Sequence, residues 1–253
     1  MRNQVSRVVA AGVTSWWTSA VLTGCCPADD AVSHVPPSSV LLSRAQTAGG
    51  DREQQRPMVS DRAGWAHTWG WLRSRGARGL RLVVPAPGDP LGLPGPAATN
   101  RLAMTAGVAL VSVAGDPVVL VAEEPGLWRA HPALDDALAA AQLGTRSEVR
   151  RAMRESMAVV TAALEDHEMQ PDAEALAAIE EMRRFSLPTP PSSVDPEDVA
   201  LVASALRVWQ LTLIAGRLAD RMNRSPDPAL LEVARWSRRA VAVGFSANSD
   251  RHR

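Results

Sequence analysis

The stretch Val108-Ala109-Leu110-Val111-Ser112-Val113-Ala114-Gly115-Asp116-Pro117-Val118-Val119-Leu120-Val121-Ala122 settles the fold class. Two β-branched, apolar runs flank Ala114-Gly115-Asp116, and a short loop containing glycine between such runs is the pattern of a β-hairpin. With it, the expectation is a predominantly helical α+β domain, with a helix and a small sheet or hairpin packed on a C-terminal helical bundle.

Upstream of the hairpin, Trp65, Trp69 and Leu72 stand at i, i+4 and i+7, which predicts an amphipathic helix over 61–74 capped by Ser60 or Asp61. Leu80 to Val84 is a short β-prone run. It ends in Pro85-Ala86-Pro87-Gly88-Asp89-Pro90-Leu91-Gly92-Leu93-Pro94-Gly95-Pro96, where prolines and glycines force successive turns. Pro96 suits the first turn of a short helix, and Gly107 suits its stop.

Downstream, everything after Pro125 reads as helical. Residues 133–142 form a short Ala-rich helix. Thr145 with Glu148 is a capping-box signature opening a long helix whose Val149, Met153, Val160 and Leu164 share a face. A further helix covers about 172–184. Asp195-Pro196-Glu197-Asp198 opens a helix over 196–222 that is apolar nearly all round, the expected centre of the bundle, in which Arg207 and Gln210 argue against a membrane span. Asp227-Pro228 starts the last helix and Gly244 is read as its end.

Residues 1–57 read as a disordered N-terminal extension, or as a lipoprotein-type leader plus linker. Arg2 and Arg7 precede an uncharged span, Val8 to Leu22, and Leu22-Thr23-Gly24-Cys25 matches a lipobox in which Cys25 would be lipidated. Thr14, Ser15, Thr18, Ser19 and the Trp16-Trp17 pair interrupt that span, and residues 27–57 show no sustained period. Met58 lies where pattern begins, so a chain starting there, cytoplasmic and without either cysteine, is preferred over a membrane-anchored lipoprotein. The domain plan is therefore 58–125 as an αβαββ segment, 126–246 as a helical bundle compact with it, and 247–253 as a disordered tail.

Composition excludes more than it assigns. The formal net charge is zero and hydrophobic residues make up 46% of the chain, so it can bury a core and exerts no global pull on nucleic acid. No lysine is present, so all 27 basic residues are arginine. Schiff-base catalysis and a phosphate-gripping lysine are therefore excluded. With no tyrosine, and cysteine only at 25 and 26, what remains is Ser, His and carboxylate chemistry.

Three residues are weak catalytic candidates: His131 and Asp135, whose i, i+4 spacing suits a metal or a His–carboxylate pair, and Asp89 in the Pro-Gly turn. The plainer reading places Asp135 and Asp136 in a first helical turn, and makes the 85–96 segment a rigid corner whose prolines offer no N–H to an anion. Arg73 and Arg75, Arg183 and Arg184, and Arg238 and Arg239 read as helix C-terminal charges. Trp65, Trp69, Trp128, Trp209 and Trp236 read as core aromatics, while Trp71, off the Trp65/Trp69 face, reads as exposed. No cofactor, no metal and no nucleic-acid partner is expected.

The stretch Leu80–Ala122, with its Leu-Val-Val-Pro-Ala-Pro-Gly-Asp-Pro-Leu-Gly-Leu-Pro-Gly-Pro, resembles an uncharacterised family of actinobacterial proteins. The likeness spans about residues 60–245, carries no activity with it, and implies a leaderless, cytoplasmic chain. The resulting expectation is a non-enzymatic protein-interaction or scaffold domain. The alternatives are a small hydrolase or metal-dependent enzyme using His131, Asp135 or Asp89, and a surface lipoprotein anchored through Cys25.

Overall fold

A computed structural model describes residues 2–42, 61–90, 92–134, 137–165, 173–221, 223–225 and 227–250. Its first element corrects the reading of the N-terminus. Arg2–Leu22 form helix α1, and Val8, Ala11, Trp16 and Ala20 are fully buried in the core. It is followed by α2 (Ala28–Val32) and strands β1 (Ser39–Leu42) and β2 (Asp61–Ala63). Residues 2–42 thus belong to the folded domain, while the rest of the expected linker, from 43 to 57, and Met58 lie outside the described residues.

The chain continues through α3 (Trp65–Ser74), β3 (Gly79–Val83), α4 (Ala97–Ala106), β4 (Ala109–Val113), β5 (Val118–Glu124) and β6 (Leu127–Pro132). The bundle comprises α5 (Ala137–Ala141), α6 (Arg146–Glu165), α7 (Ala173–Arg184), α8 (Pro196–Arg221) and α9 (Pro228–Asp250). This is a mixed α+β fold, as expected from the hairpin. The sheet is larger than a hairpin, however: six strands in the order β2-β1-β6-β5-β4-β3, antiparallel except for the β1–β6 pair.

The expected hairpin is β4–β5, with Leu110 opposite Leu120. Ala114 and Gly115 in its loop have φ of 63° and 65°, and a Cβ on Gly115 would lie 2.1 Å from the Arg75 carbonyl. Only glycine fits there. The expectation that everything after Pro125 is helical is corrected: residues 127–132 form β6 after a tight Pro125-Gly126 turn in which Gly126 has φ 74°, and the Ala-rich helix expected over 133–142 is α5. β6 covers the far side of β5, with Val119 opposite His131 and Val121 opposite Arg129.

Strand β3 is a sheet edge, and its exposed backbone groups explain the polar residues of α1. Ser19 Oγ accepts from the Leu80 N–H at 3.1 Å. Ser15 Oγ donates toward the Leu80 carbonyl at 2.6 Å, and Ser246 Oγ of α9 accepts from the Leu82 N–H at 3.0 Å. Trp69 Nε1 donates to Thr18 Oγ1 at 2.9 Å. Ser15, Thr18 and Ser19, which make the span a poor leader, are thus partners of the β3 edge and of α3, while Thr14 Oγ1 donates to the Ala10 carbonyl within α1 at 2.8 Å.

Two glycines set how closely the helices cross. A Cβ on Gly12 of α1 would lie 2.4 Å from the Phe245 ring, and one on Gly244 would lie 2.5 Å from Val202 Cγ2 of α8. Gly244 is therefore a packing residue inside α9 and not its end. The helix runs on to Asp250, which corrects the expected tail over 247–250. Along α8, Leu201, Val202, Leu206 and Trp209 are buried, but Leu211 is 42% exposed, so its core face is one side of the helix. Among the described residues α8 is the one helix long and apolar enough to cross a membrane.

Candidate functional site

The Pro-Gly corner positions one carboxylate. Ala86 N donates to the Asp89 carbonyl at 3.0 Å and Asp89 N to the Ala86 carbonyl at 2.8 Å. Pro87 and Gly88 form the tip between them, with Gly88 at φ 78°, the Pro-Gly arrangement that a turn with positive φ at its third residue requires. The closed turn aims Asp89 at α9. There Arg235, Arg238 and Arg239, at i, i+3 and i+4, present one cationic face.

All three guanidinium groups reach the single carboxylate. Arg239 Nη2 lies 3.4 Å from Asp89 Oδ1, and Arg235 Nε and Arg238 Nη2 each lie 3.5 Å from Oδ2. The Asp89, Arg238 and Arg239 side chains are 12%, 13% and 16% exposed, while Arg235 at 44% forms the rim. Burial pushes the Arg238 guanidinium below its usual value, Asp89 opposes that shift, and the flanking Arg235 and Arg239 add to it. Arg239 also lies over the Trp236 ring, 5.0 Å from its centroid, and Trp236 Nε1 donates to Glu232 Oε1 at 2.7 Å. Arg238 and Arg239 had been read as helix C-terminal charges. With α9 extending to Asp250 they are mid-helix residues instead.

His131 has a different partner. It shares a face of β6 with Arg129, and both reach Glu123 at the end of β5: His131 Nε2 lies 3.3 Å from Oε1, and Arg129 Nε donates to Oε2 at 2.7 Å. His131 is thus a strand residue beside a carboxylate, not the residue before a helix. Asp135 and Asp136 lie outside the described residues. His131 and Asp89 share no partner among the described residues, where no group of three or more His, Cys, Asp or Glu is placed to hold a metal ion.

Comparison with known families matches residues 11–142, over half of the 253-residue chain, to the family described as Rv1486c-like protein, N-terminal domain. The chain belongs to the Rv1486c-like family. No curated protein and no solved structure matches it. The Rv1486c-like region begins inside α1 and runs through α5, so it includes residues 11–22 of the span for which a disordered extension and a lipoprotein-type leader are the two expectations. Asp89 and His131 fall within the Rv1486c-like region, whereas the three arginines facing Asp89 lie beyond it in α9.

Among the described residues of the Rv1486c-like chain, Arg73, Arg75, Arg81 and Arg146 each engage separate groups. Arg73 donates to the Val21 carbonyl at 2.9 Å. Arg75 lies over Trp71 and 3.4 Å from Asp116, and Arg81 is 2% exposed beside the Gly92 carbonyl. Arg146 at the start of α6 meets Asp195, Asp198 and Glu197 at 3.2, 3.1 and 3.4 Å. The hydrogen bonds it donates to Asp195 and Asp198 push its guanidinium further up. This cluster joins the starts of α6 and α8.

Cys25 is exposed, and burial pushes the Cys26 thiol up, with Asp30 and Cys25 adding to the shift. A shallow groove of about 90 Å³ lies between α1, α7 and α8, lined by Val5, Ala178, Met182, Phe185, Gln210 and Ile214 among others. Sequence reasoning missed it, because its walls come from three helices far apart in the chain.

Proposed function

We propose that this protein is a cytoplasmic, non-enzymatic interaction domain that takes one apolar side chain of a partner protein into the groove between α1, α7 and α8. The observation that carries this reading is the groove's lining. Val5, Ala178, Met182, Phe185 and Ile214 offer apolar surface between packed helices, and Ser6, Glu181 and Gln210 supply polar positions among them. At about 90 Å³ the groove has room for a single apolar side chain, the kind of anchor that carries much of the binding energy of a protein interface. Asp89 and His131, each engaged with its own charged neighbours, add no support for hydrolysis. The cytoplasmic location is supported by the packing of α1. A peptidase cutting before Cys25 would remove a helix whose Trp16 and Ala20 are fully buried.

The test is a photo-crosslinking residue placed at Ala178 in the native host. One discrete crosslinked protein is expected, and it should disappear when Met182→Glu puts a charge in the groove. No discrete product, or the same product from a crosslinker at the exposed Leu231 of α9, would refute the reading.

A further inference from the structure

We propose that Arg235, Arg238 and Arg239 of α9, held around Asp89, form a binding site for a phosphate dianion, with Asp89 as its built-in competitor. The proposal goes beyond the groove and does not depend on it. Four groups, three cationic and one anionic, face one another with a net charge of +2. The Glu232 carboxylate, 3.6 Å from Arg235 and hydrogen-bonded to Trp236, reduces this without reaching the inner pair. A single buried carboxylate cannot neutralise three guanidinium groups, and uncompensated buried charge is costly.

Hydrogen bonding shows the same mismatch. The contacts to Asp89 are 3.4–3.5 Å, against about 2.7–2.9 Å for a charge-assisted N–H···O bond. Arg238 Nε, Arg239 Nε and Asp89 Oδ2 are buried without a hydrogen-bond partner. Donors outnumber acceptors here, and they belong to arginines, whose planar fork matches the oxygens of phosphate. Phosphate brings more acceptor oxygens than a carboxylate and up to two negative charges near neutral pH, enough to offset the positive surplus that Asp89 and Glu232 leave. Arg235 at 44% exposure gives the approach from solvent. The stacking of Arg239 on Trp236 restricts the orientation of its guanidinium before the anion arrives.

A structural brace alone and an anion site predict opposite responses at Asp89. Calorimetric titration of the full chain with inorganic phosphate, at ionic strength held constant with chloride, should show saturable binding. Asp89→Asn removes the competitor and should tighten binding by at least about tenfold, since a unit charge a few ångströms away contributes on that scale at a semi-buried site. Arg235→Gln, on the rim and safe for folding, should weaken it. Parallel titration with O-phosphoserine separates a free ion from a covalently borne phosphate, and binding of either supports the site. Phosphate heats indistinguishable from chloride, in the wild type or in Asp89→Asn, would overturn it. So would binding that Arg235→Gln leaves unchanged, a test that stands even where Asp89→Asn does not fold.

Discussion

Replacing Trp16 with alanine tests whether α1 is part of the core. The indole is fully buried, its ring centroid is 4.4 Å from that of Phe245, and its Nε1 donates to the Gly244 carbonyl at 3.1 Å. Truncating a buried tryptophan costs about 3–5 kcal/mol through lost transfer energy and the cavity left behind. Relaxation should recover little of this, because Gly12 and Gly244 already hold α1, α8 and α9 at close approach. The upper part of the range is therefore expected, with the aromatic pair contributing about 0.5–1.5 kcal/mol of it. For a chain of this size the melting midpoint should fall by about 2–4 °C per kcal/mol. Urea unfolding followed by far-UV circular dichroism reads the loss without relying on the deleted fluorophore. Cys25→Ser, at an exposed position of the same segment, is the control and should stay within about 0.5 kcal/mol. A Trp16→Ala loss below about 1 kcal/mol would show that α1 is not a core helix.

Gly244→Val should destabilise the chain by about 1–3 kcal/mol through overpacking, since the added Cβ would meet Val202 Cγ2 at 2.5 Å and the Asp198 carbonyl at 3.2 Å. Denaturant melts in which Gly244→Val is neutral, or in which Val202→Ala fails to relieve part of the loss, would contradict that account. The Glu148 carboxyl is held below its usual value by hydrogen bonds from the Thr145 N–H and hydroxyl. Its cap therefore stabilises α6 fully above the ordinary glutamate value of about 4.3 and is lost as pH falls through the lowered one. The difference in thermal midpoint between wild type and Glu148→Gln should shrink on acidification, and a gap constant from neutral to acid pH would refute the cap.

The groove and the arginine cluster were not legible in the sequence, for the same physical reason. Arg239 and Asp89 are 150 positions apart, and the chain offers no local period or spacing that links them. Asp89 was singled out because its Pro-Gly turn is local. Two of its partners, Arg238 and Arg239, read as helix-end charge as long as Gly244 reads as a stop signal. A glycine in a helix reads alike whether it ends the helix or lets another helix approach, and only the neighbour at Val202 decides between the two. His131 was misplaced for a related reason: Pro125-Gly126 is a turn signal, but the short run after it, with Trp128 and Ala130 buried, carries too few alternations to stand out.

Local chemistry by itself determined the elements whose signals lie within a few residues. These include the β4–β5 hairpin around Gly115, the Gly107 stop of α4, the Thr145–Glu148 capping box, and the starts of α8 and α9 at Asp-Pro. Composition likewise excluded lysine and tyrosine chemistry outright. Tertiary structure decided the roles of segments whose local pattern fits two environments. An apolar span carrying serines and threonines serves equally as an export leader or as a buried helix. What distinguishes them is whether something nearby needs those hydroxyls, and in this protein the unpaired edge of β3 does. The edge exists because the sheet ends at β3, and the order in which six strands pair is a property of the whole chain.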